Sequence, residues 1–472
     1  MTRGGRGRGQ WLWAVAVLAL FVGLRAYHLG APLLDHSDWR QADTASIARF
    51  YYLEGVRLLH PQVLYDGPGP NYVQVELPLG EALAAEAAHL FGWSAALLHA
   101  TAVALSTGSL VALYFLLRLE VGRRAAVWGS LLYAISPLAV YYGRAFQAEP
   151  AMMCFGLLAL WAFSAWSRRP TVRRLVVASA LLALAIAAKL PNAILGLPIL
   201  ALALRRRSLR RPLSLLLALG LPYVAAGLYT VVSGRTASGQ GAFVSRVAVA
   251  LFTQPGWQEG SPAVAHFWIH NLLVGAAGVG MAILLPLGTL ALPRSARGFV
   301  VAWALALLFW CLFIVTRIRQ DYYLLPCCPF LAAVGGVALD TAWRKRRRLL
   351  AVVGVAALSL VVVADLLYLP PLYRVDRATG QLALAMDQAC PRGPVVVGTG
   401  NSAILYAAWR EGWRTAAIDR AELQQWARAG ATVVVPLAAT ISPGAQSWLA
   451  AHTRLESPGG VPLYVVSDCA VS

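Results

Sequence analysis

Charge is scarce in this chain of 472 residues: only 13% are Asp, Glu, Lys or Arg, against 59% hydrophobic. With a mean hydropathy of +0.62, a soluble chain of this length could not keep its surface in water. Lysine is nearly missing, since Lys189 and Lys345 are the two present. Acids are about half as common as bases, 21 against 40, for a net charge of +19. Such an excess would point to nucleic acid if it formed one patch, but the bases fall in short clusters between apolar runs, which excludes that reading. The six cysteines show no CxxC and no Cys/His metal spacing, so a thiol-built metal site is not expected. No Walker or GxGxxG pattern completes the GTGNS turn at 398–402, which argues against nucleotide binding. There is also no obvious internal repeat, which counts against an inverted-repeat transporter.

What the sequence has in quantity is apolar runs. They lie at 11–25, 94–117, 125–141, 150–166, 175–188, 191–204, 212–232, 267–292, 299–316, 322–343 and 349–367. Each is near the length that crosses a bilayer as a helix, so about eleven crossings are expected. Threading them alternately puts Arg3/Arg6/Arg8, Arg118/Arg123/Arg124 and the clusters at 168–174, 205–211, 294–297 and 344–348 on one side. That side holds 22 of the 40 bases and, of the 21 acids, only Glu120 and Asp340. By the positive-inside rule the N-terminus is then cytoplasmic and the C-terminus extracytoplasmic. The first run follows basic residues, as in a signal peptide, but no small-x-small cleavage site occurs in 23–31, so it reads as retained.

Three segments face the other side. Residues 30–93 form a polar, Pro/Gly-rich loop with eight acids: Asp35, Asp38, Asp43, Glu54, Asp66, Glu76, Glu81 and Glu86. Within it, 42–53 and 77–91 have helical periodicity and suit an interfacial position. Residues 233–266 contain an amphipathic stretch at 242–252 and a turn-rich QPGWQEGSP, either a lid or a simple interfacial anchor. Residues 370–472 change character. β-rich runs at 394–398, 431–436 and 462–466 alternate with helical stretches at 403–411, 420–429 and 444–452, predicting a small α/β domain. Cys390 and Cys469 bracket it, so a disulfide there fits an oxidising compartment. The chain is thus read as an all-α polytopic membrane domain over 1–369 followed by an extracytoplasmic α/β domain over 370–472.

Carboxylates gathered directly after a span, with an arginine and a tryptophan among them, suit general-base chemistry or divalent-metal binding at a membrane surface. The stretches DWRQADTASIARFYYLEG and GPGPNYVQVELPL in this loop, then YYGRAFQAEPAMM, AAKLPNAILGLP and RIRQDYYLLPCCP in order along the membrane domain, resemble the bacterial polyprenyl-phosphate-dependent glycosyltransferases of the GT-C superfold. These are the relatives of protein O-mannosyltransferases and of the lipid A aminoarabinose transferase. The resemblance implies a multi-pass protein of the bacterial cytoplasmic membrane. Its substrates would be a polyprenyl-phosphate-linked sugar donor and an acceptor lipid, glycan or protein.

In that family, the resemblance implies, an acid of the first loop is the base that takes the acceptor proton while polyprenyl phosphate leaves. Asp38, beside the WRQADTA motif, is the first choice. The family's Asp-Glu dipeptide is Asp-Trp-Arg here, which leaves Asp35 and Asp43 as alternatives. Glu149 matches the place of a second acid that supports the acceptor or a metal, and Glu76 is a further member. The plain alternatives are a helix N-terminal carboxylate for Glu149 and an exposed loop acid for Glu76. Arg144, Lys189, Arg317 and Arg319 are the candidates for the donor phosphate, with snorkelling to headgroups as the competing reading for the arginines. Trp39, Arg40 and Tyr322 are candidate substrate contacts. Arg40 and Arg49 could instead be internal ion pairs, and Trp39, Tyr51, Tyr52, Tyr72 and Trp257 could be an interfacial belt. A divalent ion, Mg or Mn, is compatible with the acids. The main functional rival is a transporter or flippase of lipid-linked sugars, which would need ionisable residues mid-membrane; the apolar runs are almost free of them.

Overall fold

The computed structural model describes residues 5–205, 216–237, 253, 261–345, 348–467 and 469. The stretch at 242–252, QPGWQEGSP up to Gly260, and Trp257 lie outside them, as do the arginines at 206–211. The described part of each of the eleven apolar runs is helical. Among the described residues, five helical stretches are long and apolar enough to cross a membrane: Ala95–Glu120, Glu149–Arg168, Arg294–Val315, Asp321–Lys345 and Arg348–Ala389. A sixth is reached if the bent pair Pro262–Ala276 and Gly280–Leu290, at 71°, counts as one span. The bend falls where Gly278 and Val279 take φ of +54° and +57°. Leu12–Arg25 and Leu190–Leu204 are shorter apolar helices, and the run at 125–141 is broken before Pro137 into Arg123–Ala134 and Pro137–Tyr142.

Contacts divide the chain into two units. A helical unit comprises Met1–Leu29, His99–Val231 and Arg246–Leu372; a mixed unit comprises Gly30–Leu98, Val232–Ser245 and Tyr373–Ser472. Contacts group the first loop with the C-terminal segment.

In the helical unit, small residues let backbones approach, as apolar solvent demands when no hydrophobic driving force separates helix from lipid. A Cβ added to Gly336 would stand 2.5 Å from Gly129 N and 2.6 Å from Ala125 O. The helix Cys327–Lys345 therefore lies backbone to backbone on α5 (Arg123–Ala134). Large apolar side chains remain exposed along the faces, including Val355 at 65% and Leu366 at 70% on Arg348–Leu372. A face of this kind needs lipid or another apolar partner. Several buried charges inside the unit have protein partners. Arg25, fully buried, donates to the carbonyls of Phe21, Ala134 and Ala139 at 3.2, 3.1 and 2.8 Å. Glu120 pairs with Arg168 and Arg205, and Asp340 with Arg344, so the two acids of the arginine-rich side are each matched by arginine. One acid, Asp365, does lie within the last apolar helix, in the field of Arg25.

The mixed unit begins with α2 (Asp38–Glu54) and α3 (Leu79–Phe91), close to the periodicity-predicted stretches. Its sheet has the order β2-β1-β4-β7-β6, with β1 (Val395–Val397) parallel to β2 (Gly412–Arg414) and β4 (Val433–Val435). The Val-Val-Val strands β1 and β4 are buried throughout, as central parallel strands are. β7 (Pro462–Val465) and β6 (Thr453–Glu456) complete the sheet antiparallel. The loop enters the same core: Ile47, Phe50, Val63 and Val73 pack with Met386, Val395, Ile404 and Leu405, and Tyr65 and Gly67 bridge to Gly412. A Cys390–Cys469 disulfide closes the C-terminal segment.

Candidate active site

In the mixed unit the three candidate aspartates of the first loop, Asp35, Asp38 and Asp43, stand in different environments. Asp35 is buried and accepts from Gln41 Nε2 at 2.5 Å. Asp43 is buried and accepts from Ser402 Oγ at 2.5 Å. Burial holds the Asp43 carboxyl above the usual carboxylate range, against the opposing pull of Arg414, the Ser402 hydroxyl and Arg40. Asp38, first residue of α2, is only partly buried. It accepts from the Trp39 N–H at 2.7 Å, and Asn401 Nδ2 lies 3.1 Å from both of its carboxylate oxygens. Burial raises its pKa. The Asn401 and Trp39 hydrogen bonds oppose that rise, and Asp376 and Asp35 add to it by repulsion. The carboxylate is thus held by two donors that favour its charged form, in a setting that makes it more basic than an exposed aspartate.

The orientation of Asn401 is fixed by its own helix start. Its Oδ1 accepts from the Ala403 N–H at 2.8 Å, which leaves the amide NH₂ for Asp38. Arg40 is ion-paired with Glu76 at 2.7 Å. Arg49 instead lies 3.9 Å over the Trp409 ring. Arg414, 3.7 Å over the Tyr65 ring, donates to the Gly400 carbonyl. The ring of Trp39 is half-buried, whereas Tyr51 is buried and donates to the Arg57 carbonyl. Tyr52 stacks on Trp93, and Tyr72 meets His60 edge-to-face.

The helical unit holds the four candidate phosphate-binding cations, Arg144, Lys189, Arg317 and Arg319. Lys189, between α8 (Val172–Ala188) and the turn Leu190–Leu195, is ion-paired with Glu149, first residue of α7 (Glu149–Arg168). Both are buried. The Lys189 ammonium also lies 4.8 Å over the Tyr322 ring. Beside it, Asp321 accepts from the Tyr142 hydroxyl at 2.7 Å and from the Tyr322 N–H at 2.9 Å. Arg144 is fully buried, donates to the His28 carbonyl at 2.9 Å and lies 3.4 Å from His99 Nε2. Arg317, half-buried, donates to the Phe313 carbonyl, and Arg319 is likewise half-buried. Three stretches far apart in sequence, 141–153, 187–198 and 317–329, therefore meet around Lys189, Glu149, Asp321 and Tyr322.

Among the described residues no three His, Cys, Asp or Glu side chains converge as a metal site would require. The donor set among the described residues does not fit a divalent ion held by the protein alone. Sequence reasoning missed Asn401, Ser402, Gln41 and Tyr142. The GTGNS turn containing Asn401 and Ser402 was visible, but only as a nucleotide-loop candidate; nothing local says that its amide and hydroxyl reach acids more than 350 positions away.

No curated protein matches the chain in sequence. Residues 75–229 match the family described as dolichyl-phosphate-mannose-protein mannosyltransferase. The fold is similar to that of ArnT from Cupriavidus metallidurans bound to undecaprenyl phosphate, with a TM-score of 0.66 at 17% identity over 98% of each chain. It is also similar to the archaeal oligosaccharyltransferase AglB from Archaeoglobus fulgidus, in complex with an inhibitory peptide and a dolichol-phosphate. There the TM-score is 0.62 at 15% identity, over 99% of this chain and 75% of AglB. The arabinofuranosyltransferase AftD from Mycobacteria gives 0.60 at 12% identity, over 96% of this chain and 41% of AftD. The family match and the shared fold both fall on glycosyltransferases of the GT-C type, the family that the motifs resemble.

Proposed function

We propose that this chain moves a monosaccharide from a polyprenyl-phosphate donor to an acceptor hydroxyl at the extracytoplasmic face of a bacterial cytoplasmic membrane. Asp38 takes the acceptor proton as the acceptor oxygen bonds to the anomeric carbon. The bond from that carbon to the phosphate oxygen breaks, polyprenyl phosphate leaves with the electron pair, and the anomeric centre inverts. Lys189 and Arg144, with Arg317 and Arg319, neutralise the phosphate. Glu149 holds Lys189 in place, and Glu76 does the same for Arg40 on the acceptor side. Eleven crossings, with the N-terminus cytoplasmic, carry this chemistry on one face.

The observation that carries the reading is the Asp38 carboxylate. It is the accessible member of the three, and it is oriented by Asn401 and the Trp39 N–H, while Asp35 and Asp43 are buried and committed to Gln41 and Ser402. Lipid phosphates in the solved relatives support the donor class. The test is Asp38→Asn in purified protein given a radiolabelled polyprenyl-phosphate sugar. Transfer should fall by about 10²–10⁴, the range for a lost general base, with the melting temperature retained. Full activity of the folded variant would move the role to Asp35 or Asp43, and lipid translocation without transfer would favour the flippase.

A further inference from the structure

A separate site, independent of the transfer reading, lies in the helical unit at the arginine-rich end of α5. A cavity of about 430 Å³ opens between α1 (Gly5–Arg25), α5 and the helix Cys327–Lys345. Its walls include Leu20, Leu131 and the rings of Trp13, Trp128 and Trp343, and Arg123 and Arg124 stand in its lining. No carboxylate lines it among the described residues.

Two features make this more than a greasy groove. Arginines occupy the first two positions of α5, where the helix dipole disfavours positive charge. The opening N–H groups have no intrahelical acceptor, and the preceding Gly122 brings no side chain to cap them. The buried Arg123 Nε also has no hydrogen-bond partner. Donors and positive charge thus lie together at the start of α5, beside an apolar chamber. An anion at a helix start answers the first, and a hydrocarbon chain the second. Trp13 and Trp343, 67% and 69% exposed, flank the cavity as rings do at a headgroup boundary.

We propose that this cavity binds one anionic glycerophospholipid, its phosphate on Arg123, Arg124 and the α5 N-terminus and an acyl chain against the tryptophans. The test is native mass spectrometry of the delipidated full-length protein titrated with phosphatidylglycerol or phosphatidylcholine. The unmodified protein should retain phosphatidylglycerol with about ten-fold preference. Arg123→Gln with Arg124→Gln should bring that preference close to unity, and Ala16→Trp, which fills the cavity and keeps both arginines, should do the same. Arg173→Gln with Arg174→Gln, in another basic cluster, should leave it unchanged. Equal retention of both lipids, loss in the control pair, or persistence in Ala16→Trp would overturn the proposal. So would displacement of the lipid by glycerol phosphate, since that would make the site one for a free phosphate. Melting temperatures of all variants guard against misfolding.

Discussion

Asn401 and Lys189 show how a single side chain can be given a role that is separable from its structural one. Asn401 donates to a carboxylate whose pKa burial has already raised. Its hydrogen bond favours the charged form, so removing it raises the pKa further. Asn401→Ala should therefore move the acidic limb of the kcat/KM profile to higher pH and lower the plateau by about ten-fold. A variant that only loosened the fold would lower the rate without moving the limb. Lys189 is harder to probe, because removing one partner of a buried pair leaves the other charged and unpaired, at a cost of about 3–5 kcal/mol. Lys189→Met alone should accumulate poorly. Lys189→Met with Glu149→Gln should recover folding, seen as a normal melting temperature, and still fail in transfer. Recovery of transfer as well would make the pair structural only. The sequence had named both residues but given them different tasks; it could not indicate that they touch, because 40 positions separate them.

At the level of elements, the C-terminal segment was legible because its strands are short apolar runs between turn residues. The strands at 394–398, 431–436 and 462–466 and the helices between them are present. Strand β2 was missed, since Gly-Trp-Arg carries no alternation, and its place is set by pairing with β1. At Gly412 an added Cβ would fall 1.9 Å from the Val395 carbonyl, so the edge exists only because the residue there is glycine. The disulfide is the element-scale constraint that can be removed cleanly. Cys469→Ser frees a link between positions 79 apart, worth about 2–4 kcal/mol. The melting temperature of the protein should fall by about 5–10 °C, and reductant should have the same effect on the unmodified protein and none on the variant.

For the molecule as a whole, topology is the consequence of charge asymmetry. Alkaline phosphatase fused after Leu372 should be active in a bacterial host, and fused after Lys345 it should be inactive; the reverse pattern would overturn the orientation. The sequence by itself determined the class, the helical runs and the acid-rich loop. Those depend on composition and on periodicity over a few turns, where each residue reports on its own surroundings. Only tertiary structure decided that the first loop shares a core with the C-terminal segment, that Asn401 and Ser402 orient acids of that loop, and that Glu149 belongs to Lys189. These are pairings between distant positions, chosen by which buried polar groups must satisfy one another, and no local pattern carries that information.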